Sequence, residues 1–177
     1  MWGNRFLSSR FVGLCLIAYL VSPLWAHSLA GIYLTAKDTP GGQAVVEIFE
    51  YDNKYYVYGL KNLEGNTSLD SCNKHEELRE RRSVGSVFAY DYKRNGKGEL
   101  TGGSIYNFDD CKTYYGKIVP SKGGNIYFVG ALDSYYILRR SYEWNLLDPS
   151  EARKYEIYRL PMEELVRSIE DTKKSKK

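Results

Sequence analysis

Groups able to do covalent or proton-transfer chemistry are scarce in this chain and poorly spaced for it. There are two histidines, His27 and His75, whereas a serine or cysteine nucleophile needs a histidine base that a third group orients. Neither histidine stands at metal-ligand spacing, and the sequence lacks both a glycine-rich phosphate loop and a G-x-S-x-G elbow. Asp109 and Asp110 are adjacent carboxylates in a turn-like stretch, where acids are ordinarily solvated. The reading is that of a protein that is not an enzyme, with no catalytic residue, no metal and no cofactor.

Groups able to bind are abundant. The chain carries 17 Tyr, and most fall in extended stretches, each ring offering an apolar body and a polar tip. Asp70-Ser-Cys-Asn73, followed by Arg79-Glu-Arg81-Arg82, brings guanidinium groups that can grip a carboxylate or phosphate bidentately. Local acids compete for the same cations: Asp70, Glu76, Glu77 and Glu80.

The elements that position these groups are strands. From Gly31 to Trp144 about eight short runs rich in Tyr, Val, Ile and Phe are each interrupted by Gly, Asn, Asp, Ser or Pro. The runs are placed at Gly31–Ala36, Ala44–Tyr51, Lys54–Lys61, Gly85–Tyr92, Glu99–Tyr106, Thr113–Pro120, Asn125–Leu132 and Tyr136–Glu143. A meander of that length loses its exposed edges by closing into an up-and-down barrel, and barrels of this size can hold one small ligand. Alternate links fall at opposite ends, so Asp52-Asn53, Lys93–Gly98 and Ser121–Gly124 close a bottom with tight turns. Longer links, above all Asn62–Val84, surround a mouth.

Side chains repeat every two residues along a strand. With Glu47 and Lys117 outward, Val46, Ile48, Tyr114 and Ile118 face in. Arg140, Tyr142 and Trp144 share one face with Tyr136 and Leu138, and Tyr56, Tyr58, Ile126 and Phe128 are assigned inward. The expected ligand-binding set is Tyr58, Arg79, Arg81, Tyr106, Tyr114, Phe128, Tyr136 and Leu138. A barrel filled by its own rings is the competing expectation.

Both ends differ from the meander. Arg5 and Arg10, the apolar run Phe11–Val21, and Pro23 with Ala26 have the form of a signal peptide over 1–26, with the mature chain starting near His27. The run is too short to span a bilayer, so an exported product without a transmembrane segment is expected, periplasmic or secreted. Cys15 leaves with the signal. Cys72 and Cys111 remain as an even pair in an oxidising compartment, and a disulfide is expected. The formal charge of +3 falls by two with Arg5 and Arg10, and four terminal lysines carry more than the remainder, so no nucleic-acid footprint exists. Residues 27–147 are read as the barrel. Residues 148–172 form an extension packed on it, with a ninth strand over Lys154–Leu160 and a helix opened by Pro161 whose stripe is Met162, Leu165, Val166 and Ile169. Residues 173–177 are read as a basic disordered tail.

Gly103-Ser-Ile105-Tyr106-Asn-Phe-Asp-Asp-Cys-Lys112-Thr-Tyr114-Tyr-Gly116-Lys117-Ile118 resembles the G-x-I-Y-D-P and G-K-T-Y-x-G-x-I segments of a family of small exported bacterial proteins, domain of unknown function 2147. Asp70, Asn73, Arg79 and Arg81 before Gly85 echo its loop pattern, and Gly130 and Arg140–Trp144 also correspond. Cys111 stands where that family has glycine, and Cys72 is without an equivalent. The resemblance, which runs from Gly31 to Trp144, implies an antiparallel up-and-down eight-stranded lipocalin-like (calycin) barrel; with the helix read after Pro161, the expected fold class is all-β with a C-terminal helix. In lipocalins a G-x-W opening is stacked by a late arginine. Here Gly31-Ile-Tyr33 keeps the spacing, so Tyr33 and Arg140 are expected to close the floor through a cation–π contact, with Trp144 beside them. The expected function is a carrier or sensor that binds a small amphipathic molecule, acids included, in the lumen without transforming it. The alternative is a protein-interaction or inhibitor module acting through the mouth loops or the C-terminal helix.

Overall fold

The computed structural model describes residues 28–39, 42–65 and 67–176; the expected signal peptide at 1–26 lies outside them. Eight antiparallel strands close in chain order, β1 pairing with both β2 and β8. They are β1 (Gly31–Leu34), β2 (Ala44–Tyr51), β3 (Lys54–Asn62), β4 (Val87–Arg94), β5 (Leu100–Asn107), β6 (Lys112–Pro120), β7 (Ile126–Ala131) and β8 (Arg139–Leu146). The β2–β3 link shows why the meander turns so tightly. Tyr51 pairs with Lys54 across Asp52 and Asn53, whose φ values of 50° and 56° are those of a type I′ turn, the twist a two-residue hairpin needs.

Two shells of apolar side chains lie on the two faces of the barrel. The inner one contains Tyr33, Val46, Ile48, Tyr55, Val57, Ala89, Tyr92, Leu100, Ile118, Ile126, Phe128 and Trp144. Tyr92 fills the middle of the barrel because β5 and β6 present glycine to it. A Cβ on Gly116 would lie 2.0 Å from the Tyr92 hydroxyl, and one on Gly103 2.4 Å from its ring. Asp91, at φ 63°, is a bulge residue that lets Tyr92 turn inward while its own carboxylate stays outside.

The outer shell includes Val45, Phe49, Tyr58, Val87, Tyr90, Tyr106 and Phe108, and is covered by the C-terminal extension. After the short α1 (Pro149–Ala152), capped by Asp148, residues Arg153–Tyr158 form a 3-10 helix. The ninth strand expected over Lys154–Leu160 does not form, because the closed barrel leaves no edge to which it can pair. Helix α2 (Met162–Ser175) follows Pro161 and buries Leu165 and Ile169 together with Ser168, Thr172 and Ser175, while Met162 stays exposed. The polar members have a backbone reason. Phe88 is an extra residue between the Val57–Ala89 and Tyr58–Val87 pairs, and the Val87 groups this frees are taken by the helix. Val87 N donates to Ser168 Oγ at 2.8 Å, and Thr172 Oγ1 donates to Val87 O at 2.5 Å, as buried peptide groups require. The helix therefore runs through residues 173–175, which the sequence places in a disordered tail. Lys173 bonds Asp91 at 2.8 Å.

Candidate functional site

The bottom of the barrel is packed and the top is hollow. Tyr33 donates to the Leu29 carbonyl at 3.0 Å, and burial pushes its hydroxyl up to about 12. Above the packed layer a cavity of about 660 Å³ opens at the mouth. Its deep wall is Val46, Phe88, Ile105, Phe128, Tyr142 and Trp144. Trp144 stacks on Phe128 with centroids 4.1 Å apart and an interplanar angle of 11°. Phe88 meets the same Phe128 edge to face at 6.2 Å.

The polar groups of this wall are few and one is unmatched. Trp144 is 1% exposed, yet its Nε1 has no hydrogen-bond partner among the described residues. Indole N–H is a donor only, and a buried donor without an acceptor is costly, so this atom is ready for one. At the rim Arg140 lines the cavity from an exposed position and makes no ion pair or hydrogen bond among the described residues. Tyr114, also lining the cavity, donates to Asp110, and that bond comes first in raising its hydroxyl to about 12.

One side of the mouth is built from the long segment between β3 and β4. Ser83 and Val84 line the cavity where Val84 bridges to Gly59, and a Cβ on Gly59 would come within 2.9 Å of the Ser83 carbonyl. The segment is tied down by the Cys72–Cys111 disulfide, with Cα atoms 5.8 Å apart. The expected bridge is thus present, joining the long loop to the β5–β6 hairpin at the mouth.

Only part of the expected binding set reaches this cavity. Phe128, Tyr114 and Leu138 line it, and Tyr106 borders it. Tyr58 does not, because it sits opposite Glu47 and opposite residues share a face; its hydroxyl donates to Glu47 Oε2 at 2.7 Å. Tyr56 is likewise outside, against Phe49. Tyr106 borders the cavity but turns its ring to the outer shell, since its neighbour Ile105 pairs with inward Tyr114 and its own hydroxyl donates to Asp70. The faces of Tyr58 and Tyr106 follow from register: with Glu47 outward and Tyr114 inward, both rings turn out. Tyr136 lies in the loop before β8 and donates to the Gly116 carbonyl at 2.7 Å, so it anchors that loop.

Arg79 and Arg81 serve the structure. Arg81 pairs with fully buried Asp70 at 2.8 Å, and Asp70 also accepts from Tyr106 at 2.6 Å and Asn73 at 2.8 Å. Arg81 donates further to Thr172 of α2 at 2.8 Å and lies 4.9 Å over the Phe108 ring. Burial is the first cause, and the bond to Asp70 the second, of a Tyr106 hydroxyl held well above its ordinary value. Arg79 donates to the Asn73 carbonyl at 2.8 Å. Asp70 and the helix take the Arg81 guanidinium, and the Asn73 carbonyl with Glu76 takes that of Arg79.

The floor closure is also different from the lipocalin expectation. Tyr33 pairs with Leu146, and Arg140 lies six residues back along β8, about 20 Å away at the usual strand rise. Tyr33 and Arg140 therefore occupy opposite ends and make no cation–π contact; Trp144 is the floor of the cavity. Phe88, Ile105 and Tyr142 were missing from the expected binding set. Tyr142 shares its face with Arg140, whereas Phe88 reaches inward only because of the bulge.

Comparison with known proteins agrees with this architecture. The model of a family described as an uncharacterized protein conserved in bacteria (DUF2147) matches residues 31–146. Among solved structures, the chain is similar to protein HP1028 of the human pathogen Helicobacter pylori, described as belonging to the lipocalin family. The TM-score is 0.74 and the identity 31%, covering 80% of this chain and 98% of that one. No curated protein matches.

Proposed function

We propose that this chain, which belongs to the DUF2147 family, is an exported lipocalin-like carrier or sensor that holds a small amphipathic acid in its lumen and leaves it chemically unchanged. The observation that carries the reading is a 660 Å³ apolar cavity whose unmatched polar groups, among the described residues, include a buried indole donor, the Thr39 hydroxyl and a rim guanidinium. Pockets that bind small molecules are concave, mainly apolar, and carry a few convergent polar groups. The apolar body lies against Phe88, Phe128 and Tyr142, with Trp144 Nε1 offered to an acceptor on it. Arg140 takes the carboxylate at the rim, the role the sequence reading gave to Arg79 and Arg81. The disulfide accords with export to an oxidising compartment.

The test is titration with cis-parinaric acid and its methyl ester, read by fluorescence. The acid binds saturably at one site, and Arg140→Gln weakens it about tenfold, the worth of one charge-assisted hydrogen bond, while the ester is unaffected. Gly130→Phe, which puts a ring into the cavity from its wall, abolishes both. Absence of saturable binding, or binding indifferent to the Gly130 ring, overturns the reading.

A further inference from the structure

The β7–β8 loop, Leu132–Leu138, displays large apolar side chains outward in a conformation that the chain holds rigidly. Tyr135 is 85% exposed, Ile137 77%, Leu132 66% and Leu138 64%. Exposed rings and aliphatic groups usually belong to loops free to fold them away, but this one is locked. The Asp133 carboxylate accepts from the amides of Tyr135, Ile137 and Leu138 at 2.9, 3.2 and 3.0 Å. Backbone amides, that of Leu138 foremost, are also what hold its carboxyl below the ordinary range. The Tyr136 hydroxyl fastens the loop to β6 at Gly116, and Arg139 donates to the Tyr136 carbonyl at 3.0 Å. An exposed apolar patch maintained in this way marks an interaction surface.

The charges beside it say what kind. Arg139 and Arg140 follow the loop directly. On its other flank Leu132 borders a groove with Lys74, Lys112 and Lys176. None of these five cations forms a salt bridge among the described residues; Lys176 reaches only Ser104 Oγ, at 3.4 Å. Four acids of the same end are engaged elsewhere, while Asp38 and Glu80 stand exposed on the β1–β2 and β3–β4 loops. Asp133 is spent on its own loop, Asp110 accepts from Tyr114, Asp109 accepts from Ser68, and Asp70 is buried on Arg81.

We infer that the β7–β8 loop is a lipid-docking tip that seats the barrel mouth on an anionic bilayer surface, Tyr135, Ile137, Leu132 and Leu138 entering the interface and the surrounding Arg and Lys residues meeting headgroup phosphates. Tyrosine suits that boundary because its ring is apolar and its hydroxyl stays wet, and a basic ring around an apolar tip adds attraction to anionic lipid. Leu132, Leu138, Arg139 and Arg140 also line the cavity, so docking here sets the lumen entrance against the bilayer.

The chain from His27 onward, which contains every strand and helix among the described residues, is sedimented with vesicles of phosphatidylcholine alone and of phosphatidylcholine mixed with phosphatidylglycerol. It binds the mixed vesicles, binds neutral ones far less, and is released by salt. Tyr135→Ser with Ile137→Ser lowers binding to mixed vesicles by about tenfold or more. Arg139→Gln flattens the salt dependence, and Ile157→Ser, at a residue 81% exposed in the 3-10 helix beside β3, three strands round the barrel from β8, changes nothing. Circular dichroism confirms that each variant is folded. No binding to the anionic vesicles, equal binding to both kinds, or insensitivity to the tip variants overturns the inference; self-association through the tip without vesicle binding also overturns it, in favour of a protein interface.

Discussion

The two faces of the barrel use the same residue types to opposite ends. Outside, beneath α2, Asp70, Arg81, Tyr106, Asn73, Thr172 and Ser175 satisfy one another in a closed network. Inside, Trp144 Nε1 on the cavity floor and Arg140 at its rim have no partners among the described residues, between apolar walls. A partnered cluster rigidifies and has nothing left to offer a ligand, whereas unmatched donors beside a hollow are the signature of a binding site. Composition alone does not separate the two, since tyrosine and arginine are prominent in both.

The largest effect that tests this contrast comes from the outer network. Arg81→Met leaves buried Asp70 without its cation and lowers unfolding stability by about 3 to 5 kcal/mol in urea melts. Arg140→Gln, the same kind of change at the mouth, leaves the urea midpoint where it was. Comparable losses from both would erase the distinction drawn here. Next in size, Cys72→Ser with Cys111→Ser costs about 2 to 4 kcal/mol by the same measurement, and loosens the long segment that walls the cavity.

A subtler test concerns Tyr92, which has no hydroxyl partner among the described residues and fills the packed lower lumen. Gly116→Ala drives a methyl group into that hydroxyl and costs about 1 to 3 kcal/mol. Tyr92→Phe is near neutral alone, and relieves much of the Gly116→Ala loss in the double variant. Additive losses would mean that the clash lies elsewhere.

The smallest effect is electrostatic and confined to the outer face. Burial raises the Asp91 carboxyl, but its bonds to Lys173 and Lys54 outweigh this and leave it below its ordinary value of 3.8. A depressed folded-state carboxyl stabilises above its unfolded value, and that contribution disappears as pH falls through the folded one. Acidification from pH 5 to pH 3, values bracketing the ordinary aspartate range, therefore loosens α2 slightly. Asp91→Asn removes that dependence, measured as the pH profile of hydrogen exchange at Val87 and along the helix.

Alternating hydrophobicity and turn chemistry made the barrel legible. Asp52-Asn53, Glu47 outward and Lys117 outward were enough to place strands, ends and several inward faces, because each depends on neighbours within a few residues. The site was less legible. Tyr58 and Tyr106 share their residue type with lumenal rings, and only cross-strand register sends them outward. Phe88 enters through a bulge, which has no local sequence mark. The segment at Lys154–Leu160 has strand-like composition but meets a sheet with no edge left.

What the sequence determined by itself was a closed antiparallel wall, a turn-sealed bottom, a mouth ringed by longer loops, and an even cysteine pair. These follow from period, turn residues and counting. Only the tertiary structure decided which arginine is spent and which is available. Arg81 and Arg140 look alike along the chain, and their fates depend on whether a buried carboxylate and a helix arrive from 11 residues away in one direction and 91 in the other. Long-range packing assigns that partner to Arg81 and withholds one from Arg140.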